Sequence, residues 1–149
     1  MPEIGDTFTP VYGDKRYEKK GDLVVVPGGT PLIASGARRN GVYGIFNIPA
    51  TKEHVLSVAR TGSAGAAFYH GYPCEISCDA LVLTPKVTLK SEEMLWFASA
   101  INLNRFRFNF GRKVTPDRIR VMRVPELPNT LPSVAEVAFT ALCAVKVSF

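Results

Sequence analysis

Residues 58–73 read VARTGSAGAAFYHGYP, and their reading decides how the rest of the chain is placed. Val55–Ala59, just before the loop, is a short apolar run that predicts a strand, and residues 66–69 predict a second one. Between them lie Arg60, Thr61, Gly62, Ser63, Ala64 and Gly65. Gly62 and Gly65 can take backbone angles closed to other residues and let a partner come close to the main chain. Thr61 and Ser63 offer short hydroxyls, and Arg60 offers a forked cation. Two readings stand side by side: a tight hairpin carrying an exposed arginine, or a loop fitted to a polyanion backbone or a base edge.

Toward the N-terminus, residues 1–22 are polar and turn-rich, and residues 15–20 carry four cations against Glu18. They predict a surface arm or a short helical turn. Residues 22–27 (DLVVVP) and 31–34 predict two short strands around the turn Pro27-Gly28-Gly29. Residues 35–44, SGARRNGVYG, form a glycine-rich loop with adjacent Arg38 and Arg39 and an Asn40-Gly41 turn signal. Residues 45–48 restart a strand, which Pro49 stops.

Toward the C-terminus, residues 75–77 predict an edge strand and Ala80–Pro85 a strong one. Ser91, followed by Glu92 and Glu93, reads as the N-cap of a helix over residues 92–104. Leu95, Trp96, Ala98, Ser99, Asn102 and Leu103 are its expected inward stripe. Residues 105–113, RFRFNFGRK, alternate with period two and predict a strand. Its Phe106, Phe108 and Phe110 would face the core, and Arg105, Arg107 and Asn109 would face outward. Thr115-Pro116-Asp117 opens a helical turn or loop, and residues 118–124 alternate again. Residues 132–145 are apolar and helix-compatible, with Ser133 and Glu136 at capping-box spacing.

The 149 residues are the size of one domain, residues 1–149, with no repeat and no dividing linker. A 46% hydrophobic and 21% charged composition supports a packed core and excludes a disordered chain. The net charge is +5, yet residues 105–123 alone hold seven cations and one acid, so the remainder is close to neutral. Arg105, Arg107, Arg112 and Lys113 lie in this segment. Cations concentrated beside aromatics are what a nucleic-acid face needs: they neutralise phosphates, and arginine can fork onto guanine. The bland alternative is a solvated strand face whose phenylalanines pack in the core. No charged-then-apolar leader opens the chain, and no run reaches the ~18–20 apolar residues of a membrane span. A soluble, cytoplasmic protein is expected.

Three cysteines, Cys74, Cys78 and Cys143, do not combine with His54 and His70 into a ligand motif, so no metal is expected. Cys78 and His70 are the one nucleophile–base pairing to weigh, but no orienting group is nominated for it. The sequence GSAG is not followed by the Gly-Lys-Ser/Thr of a nucleotide-binding loop. No catalytic residue and no cofactor are expected, and the chain is read as not an enzyme. A protein-interaction module using the apolar segment 134–147 is the competing reading.

Several motifs, taken in order, carry a resemblance: IASGARRNGVYGIF, VLSVARTGSAGAAFYHGYPCEISCDALVLTPK, the helix over 92–104, and RFRFNFGRKVTPDRI. The chain resembles, over residues 21–128, the target recognition domain of type I restriction-modification specificity subunits and of related fused type II restriction-methylation enzymes. That resemblance implies an α+β fold: an irregular β-roll-like sheet with a few helices and a helical C-terminal part. It implies a non-catalytic domain that reads one half of a split sequence in double-stranded DNA. Such a domain positions an adenine-DNA methyltransferase subunit and, through it, a restriction endonuclease subunit. By position, Arg60, Thr61, Gly62, Ser63 and Gly65 would lie on the DNA face, as would Arg105, Arg107, Asn109, Arg112 and Lys113. Arg38, Arg39 and Asn40 would form a variable reading loop. The chain departs from the family pattern of two such domains separated by long helices. Its apolar C-terminal segment is then expected to dock a partner or form a homodimer.

Overall fold

The computed structural model describes residues 1–108 and 113–131. The elements run α1 (Ile4–Thr7), β1 (Phe8–Tyr12), β2 (Val25–Ile33), β3 (Val42–Phe46), β4 (Val55–Ala59), β5 (Ala67–His70), β6 (Glu75–Ile76), β7 (Ala80–Pro85), α2 (Ser91–Leu103) and α3 (Pro116–Arg120). Tight 3-10 turns occupy Lys15–Tyr17, Arg39–Gly41 and Arg105–Arg107. One sheet has the order β1-β7-β4-β5 and is antiparallel throughout. The other has the order β3-β2-β6, with β2 and β6 parallel. The fold is α+β, as expected, with the irregular sheet divided in two. The expected C-terminal helix and its docking role fall on 132–149, outside the described residues.

Strand β4 is buried at every position because β7 and β5 flank it and α2 covers one face. The core there joins Leu56, Val58, Leu81 and Leu83 to Phe8, Met94, Phe97 and Ile101. Phe8 and Phe97 meet edge to face at 5.1 Å. Each such side chain contributes about 1.5–3 kcal/mol on burial. The second sheet packs a smaller core around Ile33, Val55, Ile76 and Val82.

The two strands expected on either side of Pro27 are one interrupted strand. Val25 and Thr30 both pair with Phe46, so the intervening residues bulge out of the ladder. Strand β1 was not expected, because Pro10 and the surrounding threonines hide the pattern of FTPVY. It pairs with β7 from Phe8 to Tyr12.

Helix α2 begins one residue early and presents a different face. Lys90 is the N-cap residue, and its backbone N–H donates to Glu93 Oε1 at 2.9 Å. Ser91 is the first helical residue, not the cap. The inward face is Met94, Phe97, Ala98 and Ile101, a clean three–four spacing. Of the expected stripe Ala98 is buried, whereas Leu95 and Leu103 point outward. Past the helix, Arg105–Arg107 is a 3-10 turn and not a strand. Phe108 is buried as expected, but Phe106 is 76% exposed. The expected alternation over 118–124 is also overturned. Thr115 caps α3 by accepting from the Arg118 backbone N–H, and Pro116 stands in the first turn.

One side chain joins helix to sheet. Asn102 Oδ1 accepts from Ala67 N at 2.8 Å, and its Nδ2 donates to Ala67 O at 2.8 Å. Ala67 starts the edge strand β5, so both outward-facing backbone groups at that point are satisfied by α2. Asn102→Ala should therefore lower unfolding free energy by about 2–3 kcal/mol, since two buried backbone groups lose their partner. A urea titration checks this, with an unchanged midpoint counting against the clamp.

Candidate nucleic-acid interface

Strands β4 and β5 make the hairpin expected from the sequence, and residues 60–66 connect them. Gly62 and Gly65 adopt φ of 57° and 85°, a region that favours glycine. Their neighbours explain why. A Cβ on Gly65 would lie 2.9 Å from Arg105 Cβ and 3.0 Å from Phe108 Cδ2. A Cβ on Gly62 would lie 3.2 Å from Ser35 Oγ. Gly65 is buried under the 105–108 turn, so it seats that turn and is not itself presented outward. Gly62, Thr61 and Ser63 remain at or near the surface.

Three segments distant in sequence thus become neighbours. Ser63 N donates to Ser35 O at 3.2 Å, joining the 60–65 loop to the 35–43 loop. Gly65 joins the same loop to Arg105. An open cleft of about 460 Å³ lies between the 60–64 stretch and Arg105, Phe106, Phe108 and Lys113. A second cleft, about 380 Å³, is walled by Ala34, Arg38, Arg39, Tyr43 and Ser63. No acid lines either cleft among the described residues.

The predicted cations divide by what they touch. Arg38, Arg39, Arg105, Arg107 and Lys113 are exposed. Arg60 is half-buried and engaged. Its guanidinium lies 4.4 Å from the Tyr12 ring centroid, and Nη1 donates to Cys78 O at 2.7 Å. It forms a wall of the first cleft, with its charged head held against Tyr12 and Cys78. Asn109 and Arg112 lie outside the described residues. Arg118, one of the seven cations of residues 105–123, is exposed and shares a small cleft with Arg107 and Phe108. Its capped position on α3 was legible in Thr115-Pro116.

The 35–43 loop is held by unusual backbone. Arg39, Asn40 and Gly41 have φ of 54°, 56° and 78°. For Arg39 and Asn40 this costs of order 1–3 kcal/mol each. The Asn40 side chain offsets it: Nδ2 donates to Tyr69 O at 3.0 Å and to Tyr72 Oη at 3.2 Å. Tyr72 Oη in turn lies 2.8 Å from His70 Nδ1, and His70 Nε2 lies 2.7 Å from Ser57 Oγ. With Asn40 donating to Tyr72, the tyrosine hydroxyl donates to Nδ1, and the Nε2–H donates to Ser57. Asn40 is thereby a tether for the loop that presents Arg38 and Arg39.

The Cys78–His70 pairing is not formed. His70 pairs with Val55 at one end of β4, while Cys78 O binds Arg60 just past the other end. Roughly 14 Å of strand separates them. Burial also raises the Cys78 thiol above its usual range, which opposes a thiolate. No described helix is long and apolar enough to cross a membrane.

Comparison with known proteins places this geometry. No family model matches the chain, and no curated protein matches it. Solved structures do. The type I restriction-modification S subunit from M. genitalium superposes with a TM-score of 0.64 at 19% identity, covering 85% of this chain and 33% of that one. The HsdS subunit from Thermoanaerobacter tengcongensis gives 0.61 at 12% identity, with 85% and 32% coverage. A chain from a structural study of complex assembly in the type I R-M system gives 0.57 at 15%, with 95% and 37% coverage. The chain has the fold of a target recognition domain of such subunits. It spans about a third of the length of the S subunits it matches.

The His70 network has a measurable pH signature. Burial holds the His70 imidazole at a pKa of about 4, against an ordinary value near 6.5. Between these values the unfolded chain binds more protons than the folded one, so stability falls as pH drops from about 6.5 to about 4. The loss should approach about 3 kcal/mol. Urea midpoints measured across that range should slope less steeply in His70→Gln than in the parent. Parallel slopes would show that His70 does not titrate as its burial demands.

Proposed function

We propose that the chain is a sequence-reading, double-stranded DNA-binding domain without catalytic residues of its own. One observation carries this reading: Arg38, Arg39, Arg105, Arg107 and Lys113 are exposed around clefts walled by the 35–43 loop, the 60–65 loop and the 105–108 turn, and no acid lines those clefts among the described residues. Exposed guanidinium groups on such a surface supply both phosphate neutralisation and bidentate contacts to base edges. The fold shared with type I S subunits supports the same reading. In this role the chain would set the site at which an adenine-DNA methyltransferase subunit, and a restriction subunit with it, acts.

Fluorescence anisotropy against a pool of randomised duplexes tests the proposal. Binding should weaken steeply with salt, because each phosphate contact releases counterions. Arg105→Ala combined with Arg107→Ala should lower the slope of log K against log salt by about 1.8, near 0.9 per contact. Association that ignores ionic strength would refute DNA binding. A double variant with the parental slope would move the contact face elsewhere.

A further inference from the structure

Between the exposed cations Arg105 and Arg107 stands an aromatic ring. Phe106 is the middle residue of the Arg105–Arg107 turn and is 76% exposed. Covering such a ring with an apolar group of a partner is favourable, because its surface then leaves water. The buried neighbour Phe108 already supplies the turn's anchor in the core. Phe106 is therefore not needed for packing.

Resting on the DNA-binding reading, we propose that Phe106 is a specificity residue that reads the 5-methyl group of a thymine in the major groove, with Arg105 and Arg107 on the flanking phosphates. Three features of the molecule select this occupant. The flanking exposed cations, with no acid among the described lining residues, match a polyanion and not an apolar protein face. Phe106 itself is apolar and exposed, and the thymine 5-methyl in the major groove is the apolar group that a base edge offers it. Finally, the Arg107 guanidinium lies 5.8 Å from the Phe106 centroid, over the ring. The cation stands against one ring face and so disfavours the ring's sliding between two bases as a wedge. The other ring face and the ring edge remain for a methyl contact, and the arginine orders the ring before binding.

The test begins with duplexes enriched from a randomised library by the full chain, which then serve as probes. Each thymine is exchanged singly for deoxyuridine, which removes only the methyl group. At one or two positions the parent should lose about four-fold in affinity, the worth of one buried carbon. Phe106→Ala should lose at least about as much on the thymine duplex. It should no longer distinguish thymine from uracil at those positions, and it should keep the parental salt slope. The side chain is exposed, so this variant folds as the parent does, and a thermal melt verifies it. Unchanged affinity in Phe106→Ala overturns the proposal. So does a loss that is the same for every thymine-to-uracil exchange, or a rise in 2-aminopurine fluorescence beside the site, which would mark a wedge. A parent that binds no duplex at any salt concentration fails the DNA-binding reading itself, and this inference with it.

Discussion

The paired hydrogen bonds between the Asn102 amide and the Ala67 backbone are the constraint on which the surface depends. They fix the last turn of α2 to the first residue of β5. The 60–66 loop ends at that residue, and the Arg105–Arg107 turn begins three residues beyond the asparagine. Both loops are thus measured from one contact. Gly65 then lets the turn settle onto the loop at van der Waals distance, which no side chain at that position would allow. The clamp also closes β5, which would otherwise offer free backbone groups at a sheet edge.

The third loop refers to the same strand by a different route. Asn40 holds the left-handed turn of Arg39–Gly41 through Tyr69 O, the residue before His70, and through the Tyr72–His70–Ser57 chain. Left-handed backbone at two non-glycine residues persists only where neighbours over-determine it. Here a fully buried, neutral histidine does so, because its two ring nitrogens are both satisfied. Strand β5 is therefore the common ruler for all three loops.

Much of this was legible in the sequence where local signals agreed with tertiary packing. The Val55–His70 hairpin and the strand Ala80–Pro85 carry strong apolar runs bounded by turn residues, and they fold as read. The α2 helix was legible, but its rotation was not. Leu95 and Leu103 drew the stripe toward one side, whereas the spacing of Met94, Phe97, Ala98 and Ile101 meets the sheet. Residues 105–108 misled because R-F-R-F has the period of a strand. The chain leaving α2 tightens into a three-residue turn, and that sends Phe106 and Phe108 to opposite environments. In 116–120 the cap at Thr115 and the proline after it decided the structure, and the alternation of Arg118 and Arg120 was incidental. Asn102 and Asn40 were unreadable as clamps, since an amide's role depends on backbone groups brought to it from elsewhere.

Charge along the sequence and charge on the surface also turn out to be different quantities. Residues 105–123 hold the chain's densest basic run, yet the fold divides it. Arg120 pairs with Asp117 at 2.6 Å, and its side chain packs against Gly5, on the α1 side. Arg123 pairs in a β-bridge with Glu3. Arg105, Arg107, Lys113 and Arg118 remain around the clefts. What replaces the diverted charges comes from Arg38 and Arg39, more than sixty residues away in sequence. The two arginines enter only because Ser63 bonds Ser35 and Asn40 reaches β5. The 60–65 loop, which the sequence offers as a tight hairpin or as a loop fitted to a polyanion backbone or a base edge, stands as the middle of three. Its glycines admit a neighbour on each side, and its arginine braces the floor against Tyr12. The cations that face outward belong to the segments it holds in place.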